Sequence, residues 1–326
     1  MSRKLDTERT EEADRAFAYT DVYLTDNLAD SVIYPGQRKP DELQLKYLEK
    51  LQKAFDVEVA DNPGQRDFLV VVNGHYFRCF KIVSINGNFT ACRQMPVEFM
   101  SIRDTGMHTS VRQQLIHPRL NKGGLVFICG TPGNGKTTTC AASIVHRLEV
   151  QGGVCLTVED PPEIPMQGEW GESGICIQTQ VKTQGGFGSA VRDCMRSYPS
   201  GVNTIMLVGE TRDPETASES LRAAIDGRLV FTTLHADSVV GGLARLVSLA
   251  AQQIGEKEAH ELLGYAFRVG IHQRIVAKKL RTSCLVDTES VVGNIRNGSL
   301  PQISTEMERQ ALLFKRNSKI KYRGEI

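Results

Sequence analysis

Two kinds of apolar spacing alternate along this chain. Between Asp41 and Phe55 the apolar residues recur at helical intervals: Leu43, Tyr47, Leu48, Leu51 and Phe55 form a stripe, and Glu42, Lys46, Glu49 and Lys53 lie off it. That pattern predicts an amphipathic helix, with Leu45 outside the stripe. The apolar positions then become contiguous and β-branched. Phe68-Leu69-Val70-Val71-Val72 and the run from Tyr76 to Val83 predict strands joined across Asn73-Gly74, and Phe89 to Met95 predicts a third after Asn86-Gly87-Asn88. One helix against an antiparallel sheet is a small α+β module, and this one ends near Pro96. Residues before about Asp21 are polar and expected to be loosely held. From 97 to 123, Met107, Val111, Leu115 and Leu120, broken by Pro118, predict a connecting helix and hinge between domains.

After Gly123 the spacing changes to buried strands separated by helices. Gly124 to Cys129, Val154 to Val158, Thr204 to Val208 and Leu229 to Leu234 are nearly all apolar, as strands covered on both faces must be. Thr137 to Val150 carries Ala141, Ile144, Val145 and Leu148 on one helical face. Further helices are predicted at Phe187–Ser197, after Pro214, at Val239–Leu249 and at Ala259–Val269, and outer strands at Gln273–Val276 and Leu285–Val286. Alternation of this kind predicts an α/β fold with a parallel sheet and crossover helices.

Chemistry enters between the first of these strands and its helix. Gly130-Thr131-Pro132-Gly133-Asn134-Gly135-Lys136-Thr137 matches the phosphate-loop pattern at every fixed position, with Thr138 next in the helix. Glycines let backbone N–H groups curl round a phosphate, and the helix N-terminus adds its dipole. Lys136 would bridge the β- and γ-phosphates, and the Thr137 hydroxyl would take one position on Mg²⁺. Three later strands end on ionisable residues: Glu159 in Glu159-Asp160-Pro161-Pro162-Glu163, Glu210 after Gly209, and His235 after Leu234. A lone histidine is more often a packed residue than a functional one. Three such strand ends at the edge that carries the phosphate loop make coincidence the weaker explanation.

With 326 residues, 40% apolar and 24% charged, the chain has room for two domains with real cores. A formal net charge of +1 gives no global argument for nucleic acid or an anionic surface. No apolar run is long enough to span a bilayer, and the charged start lacks the apolar core of a secretion signal, so a cytoplasmic protein is expected. Eight cysteines contain no C-x-x-C pair and read as reduced core thiols. The basic tail from Lys315 to Arg323 reads as a solvated end.

Together, the phosphate loop, Val158 to Glu163, Val208-Gly209-Glu210-Thr211-Arg212-Asp213-Pro214-Glu215-Thr216-Ala217 and Leu229 to Ala236 resemble the Walker A, Asp box, Walker B and His box of the type II/IV secretion system ATPases, in order and interval. The compact size and the lack of a four-cysteine zinc insertion make the chain similar to the PilT-like retraction branch and the related DotB/TraJ-like ATPases of type IVB secretion and conjugation. That resemblance implies a loose segment over 1–20, a PAS-like α+β domain over 21–100, a linker over 101–122 and a RecA-like P-loop NTPase domain with C-terminal helices over 123–326. It implies ATP and Mg²⁺ as ligands and a homohexameric ring, peripheral to the inner membrane through platform or secretion-channel proteins. By the same resemblance Glu159 is the general base, Glu210 supports Mg²⁺ and the attacking water, and His235 senses the γ-phosphate. Arg78 and Arg93 correspond to family arginines that reach the nucleotide as the ring closes, and Arg196 and Arg212 to arginines flanking Walker B. Tyr76 stands where an arginine is usual, Arg228 replaces a histidine after Gly227, and Ser197-Tyr198-Pro199-Ser200 replaces a more acidic segment. Two other readings remain at this point. A nucleic-acid translocase on the same fold lacks a concentrated basic and aromatic stretch, and a nucleotide-gated scaffold would not need water-positioning carboxylates.

Overall fold

The computed structural model describes residues 20–36, 38–85, 87–95, 99–181, 186–316 and 318–324; Pro96 and the expected loose segment through residue 19 lie outside them. The described residues divide into two units. One takes those up to Phe99 together with those of Asp160–Gly168 and Gln180–Gln184, and the other takes Met100–Glu159, Glu169–Thr179 and those from 186 onward.

In the first unit, helix α1 (Glu42–Asp61) starts where Asp41 and Gln44 cap each other reciprocally: the Gln44 N–H donates to Asp41 Oδ1 at 2.8 Å and the Asp41 N–H to Gln44 Oε1 at 3.1 Å. The expected stripe is the buried one, with Tyr47, Leu48, Leu51 and Phe55 inside, and the helix continues six residues past Phe55. It covers a five-stranded antiparallel sheet ordered β2-β1-β5-β4-β3, built from β1 (Asp21–Thr25), β2 (Val32–Tyr34), β3 (Asp67–Val72), β4 (His75–Ser84) and β5 (Gly87–Gln94). Asn73 and Gly74, both at positive φ, make the β3–β4 turn, as Asn-Gly should. Alternate residues Phe68, Val70, Val72, Phe77, Cys79, Cys92, Val22, Leu24 and Ile33 meet the helix in one apolar core, where the Phe55 and Phe68 rings pack edge to face. β1 and β2 are additions to the sequence reading, since five and three residues give too few periods to register.

The second unit is an eight-stranded sheet ordered β13-β12-β6-β11-β10-β7-β9-β8. Its centre is parallel: β6 (Gly124–Cys129), β7 (Gly153–Val158), β10 (Thr204–Val208) and β11 (Leu229–Leu234) point one way, flanked by β9 (Gly174–Ile177) and β12 (Phe267–Val276) in the same direction. β13 (Lys279–Val286) pairs antiparallel with β12, and β8 (Gly168–Trp170) forms the other edge. Every residue of β6, β10 and β11 is buried, which is why they read as largely apolar runs.

Several boundaries differ from the periodicity. The helix expected through Val269 ends at Ala266, and Phe267–Val276 joins the sheet beside β6; Gly270 there lies against the Phe127 ring, where a side chain would not fit. Residues 101–122, expected as a linker, fall in the second unit: α2 (Thr109–Ile116) hands its Ser110 hydroxyl to the Phe314 carbonyl at 3.0 Å. The basic tail is not simply solvated. Ile320 is buried, the Tyr322 hydroxyl donates to Gln114 Oε1 at 2.7 Å, and the Arg323 guanidinium donates to the Gly264 and Tyr265 carbonyls at 3.1 Å each. All eight cysteines are free and buried.

Candidate active site

At the carboxyl end of β6 the chain turns through the phosphate loop into helix α3 (Lys136–Gln151). Two glycines are fixed by geometry. A Cβ on Gly130 would run into the Gln273 carbonyl oxygen, and Gly135 starts the helix from the left-handed region at φ 73°. No side chain caps α3, so its first-turn N–H groups are left for an anion. Lys136 is buried at 8% exposure with Nζ 3.1 Å from the Thr131 carbonyl, curled back over the loop, while Thr137 and Thr138 are half-buried in the first turn. Thr131, Pro132 and Gly133 are exposed at the tip. A cradle of open N–H groups, one lysine and a threonine hydroxyl fits a phosphate chain, and a hydroxyl oxygen suits a hard divalent cation.

The neighbouring strand braces this loop in a way the sequence did not announce. The Gln273 amide donates to the Asn134 carbonyl at 2.6 Å, the Ile275 N–H to Asn134 Oδ1 at 2.7 Å, and Asn134 Nδ2 to the Thr131 carbonyl at 3.2 Å. Gln273 is fully buried, and its Oε1 has no hydrogen-bond partner. A buried polar residue inside the β12 pattern is the only signal available, because its partner lies 139 residues away. Gln273→Ala is therefore expected to weaken nucleotide binding ~10-fold, the worth of a buried hydrogen bond, with little change in unfolding midpoint; titration with a fluorescent nucleotide analogue checks it.

Glu159, at the end of β7, is 3% exposed, and its Oε1 accepts from Gln178 Nε2 at 3.0 Å while its N–H donates to the Thr179 carbonyl at 3.2 Å. The end of β10 lies alongside, with the Gly209 N–H donating to the Val158 carbonyl at 2.9 Å. Glu210 and His235 meet across β10 and β11, Oε1 to Nε2 at 3.3 Å, both partly exposed. Beneath them the Thr233 hydroxyl donates to the Gly209 carbonyl at 2.6 Å and the Thr211 N–H to the Thr233 carbonyl at 3.0 Å, so the three strand ends are tied as one platform. Cys140, buried one turn into α3, senses both sides: burial raises its thiol pKa, Lys136 lowers it and Glu159 raises it again.

The arginines are placed differently. Arg78 belongs to the first unit, where its guanidinium straddles Asp67 with Nε 3.0 Å from Oδ2 and Nη1 3.9 Å from Glu163; those carboxylates raise its pKa further, the Asp67 hydrogen bond most. Arg93, also in that unit, pairs with Asp21 at 2.8 Å from a largely exposed position. In the second unit Arg196 is exposed at the last turn of α4 (Gly186–Ser197), and the exposed Arg212 guanidinium lies 5.5 Å from the Phe187 ring.

A parallel sheet with a phosphate loop at its central strand and acids at the adjacent strand ends is the design of a P-loop nucleotide-binding protein. The model of the type II/IV secretion system protein family matches residues 44–317, and the chain belongs to that family. It is 28% identical over 257 residues to the protein transport protein HofB homolog of Escherichia coli (strain K12), covering 76% of this chain and 52% of that one. The chain thus spans about half the length of that curated relative. Among solved structures, the pilus retraction motor PilT with bound ADP superposes with a TM-score of 0.71 at 24% identity, covering 94% of this chain and 90% of PilT. The Legionella pneumophila ATPase DotB gives 0.69 at 20%, covering 93% and 86%. These likenesses establish the fold, a RecA-like α/β domain with a small N-terminal α+β domain.

Proposed function

We propose that this chain hydrolyses ATP and works as a motor in a homohexameric ring that powers type IV pilus retraction or type IVB-like secretion or conjugation. The observation that carries the reading is the single sheet edge that presents an uncapped helix start, Lys136, a buried Glu159 and the Glu210–His235 pair together. A site that only held nucleotide would need the first two and not the others.

In this reading Lys136 and the loop N–H groups hold the β- and γ-phosphates, and Thr137 and Glu210 hold Mg²⁺. The ion would supply charge neutralisation between those phosphates. Glu159 accepts the proton of the attacking water, and His235, set by its contact with Glu210, reports on the γ-phosphate. Arg78 and Arg93 reach the nucleotide as the ring closes, and Arg196 and Arg212 act beside Walker B. Catalysis then rests on positioning and electrostatics rather than on a covalent intermediate. The ring would act at the cytoplasmic side of an inner-membrane platform or secretion channel. Among the described residues no helix is long and apolar enough to cross a membrane, so attachment would run through those partners.

Phosphate release by the purified full chain, followed against protein concentration with mass measured in parallel, tests the reading. Specific turnover is expected to rise with the hexamer fraction. Turnover that is the same in the monomer, or ATP binding with no phosphate release in the assembled ring, would overturn it.

A further inference from the structure

β12 and β13 form a hairpin closed by a two-residue turn, Ala277-Lys278, with both residues at positive φ. A turn of that hand matches the strand twist and fixes the register, so residues across the hairpin stand directly opposite. His272 faces Ser283, Arg274 faces Arg281 and Val276 faces Lys279. Side chains alternate along β12, so Gln273 and Ile275, which brace the phosphate loop, belong to one set and His272, Arg274 and Val276 to the other.

The second set lines a cavity of about 390 Å³ together with Arg281, Thr282 and Ser283. Two guanidiniums directly opposite each other destabilise a hairpin unless something compensates. Among the described residues neither Arg274 nor Arg281 takes part in an ion pair. The cost extends to the imidazole: burial lowers the His272 pKa, Arg274 lowers it further, and Asp237 pulls the other way. A concave site with two planar donor forks, a hydroxyl and no carboxylate partner for either fork has the chemistry that recognises a tetrahedral dianion.

We propose that this face of β12 and β13 binds a phosphoryl group, held between Arg274 and Arg281 with the Ser283 hydroxyl beside them, as a site separate from the phosphate loop. The phosphoryl group belongs to a free phosphate or to a lipid headgroup. The second source is given weight by Ile275 and Val276, each 48% exposed near the hairpin tip, and by Lys278 and Lys279 at the turn.

The test is calorimetric titration of the full chain with inorganic phosphate and pyrophosphate, with sedimentation onto phosphatidylglycerol vesicles and, as control, phosphatidylcholine vesicles. Binding is expected to persist in Lys136→Ala and, measured in that background, to weaken ~10-fold on Arg274→Gln or Arg281→Gln and to vanish when both are replaced. Calorimetric binding without sedimentation assigns a soluble phosphate; sedimentation on the anionic vesicles alone, lost in the double substitution, assigns the headgroup. The Arg274→Lys/Arg281→Lys pair keeps the charge and loses the forks, and retained but weakened binding is expected from it even if the glutamine pair fails to fold. The proposal falls if no probe binds, if the double glutamine substitution leaves binding unchanged, or if Lys136→Ala alone abolishes it.

Discussion

Glu159→Gln is expected to lower phosphate release by ~10²–10⁴-fold while the affinity for ATP stays within a few-fold of wild type. The substitution keeps the shape of the side chain and leaves an oxygen for the Gln178 amide, which lies 3.0 Å from Glu159 Oε1. What it removes is the ability to take a proton. Because the carboxylate is 3% exposed and is fixed by Gln178, bulk water cannot readily substitute for it. The phosphate contacts, made by the loop and Lys136, are not touched. Loss should therefore appear in kcat with KM unchanged, the mark of an interaction made only in the transition state. Steady-state phosphate release and equilibrium nucleotide binding on the same preparation separate the two quantities. Undiminished turnover would move the base to Glu210, the other carboxylate at this edge. Glu210 is already engaged with His235 at 3.3 Å, an arrangement better suited to sensing than to proton transfer.

How far the sequence reaches can be judged from particular residues. The phosphate loop was legible because its chemistry demands fixed residue types at fixed spacing, and the sheet because β6, β10 and β11 are buried throughout. Glu159, Glu210 and His235 followed from the direction of the strands that deliver them. Gln273 did not, since its role depends on a strand 139 residues away lying beside the loop. Ala259 to Val269 kept helical spacing to its end, and only the vacant position beside β6 and the room over Phe127 for Gly270 turn its last residues into a strand. Nor does sequence position reveal that Asp160–Gly168, directly after Glu159, groups with the first unit rather than with its neighbours in the chain. There Gln180 returns to the first sheet, its Nε2 donating to the Asp67 carbonyl at 3.1 Å.

Asp287→Ala is expected to cost ~3–5 kcal/mol of folding stability, as breaking a buried ion pair does when the partner charge stays behind. Asp287 follows β13 and is 3% exposed; Arg119 Nη1 lies 2.5 Å from its Oδ1 and Arg268 Nη1 3.8 Å from its Oδ2. Its backbone is used as well, with the Arg323 N–H donating to the Asp287 carbonyl at 2.7 Å and the Asp287 N–H to the Arg268 carbonyl at 3.2 Å. Arg119 in turn stacks on the Tyr322 ring at 4.0 Å, so one carboxylate joins the turn before β6, the start of β12 and the basic tail. Removing it leaves two guanidiniums facing each other with little water. Asp287→Asn, which keeps a hydrogen-bond acceptor, should cost less. Burial raises the Asp287 pKa from its ordinary value, against the pull of Arg119 and Arg268. The folded state therefore holds that proton more tightly than the unfolded chain, and wild-type stability falls as pH rises from the ordinary range into the raised one; Asp287→Asn should lack this slope. Urea unfolding between roughly pH 4 and pH 7 measures both the loss and the slope. ATP affinity under native conditions should be unchanged, because Asp287 sits at the end of the sheet where β6 begins and the phosphate loop sits where β6 ends. A variant that folds normally but has lost nucleotide would show that the two ends of the sheet are coupled, and would move Asp287 from the scaffold into the machinery.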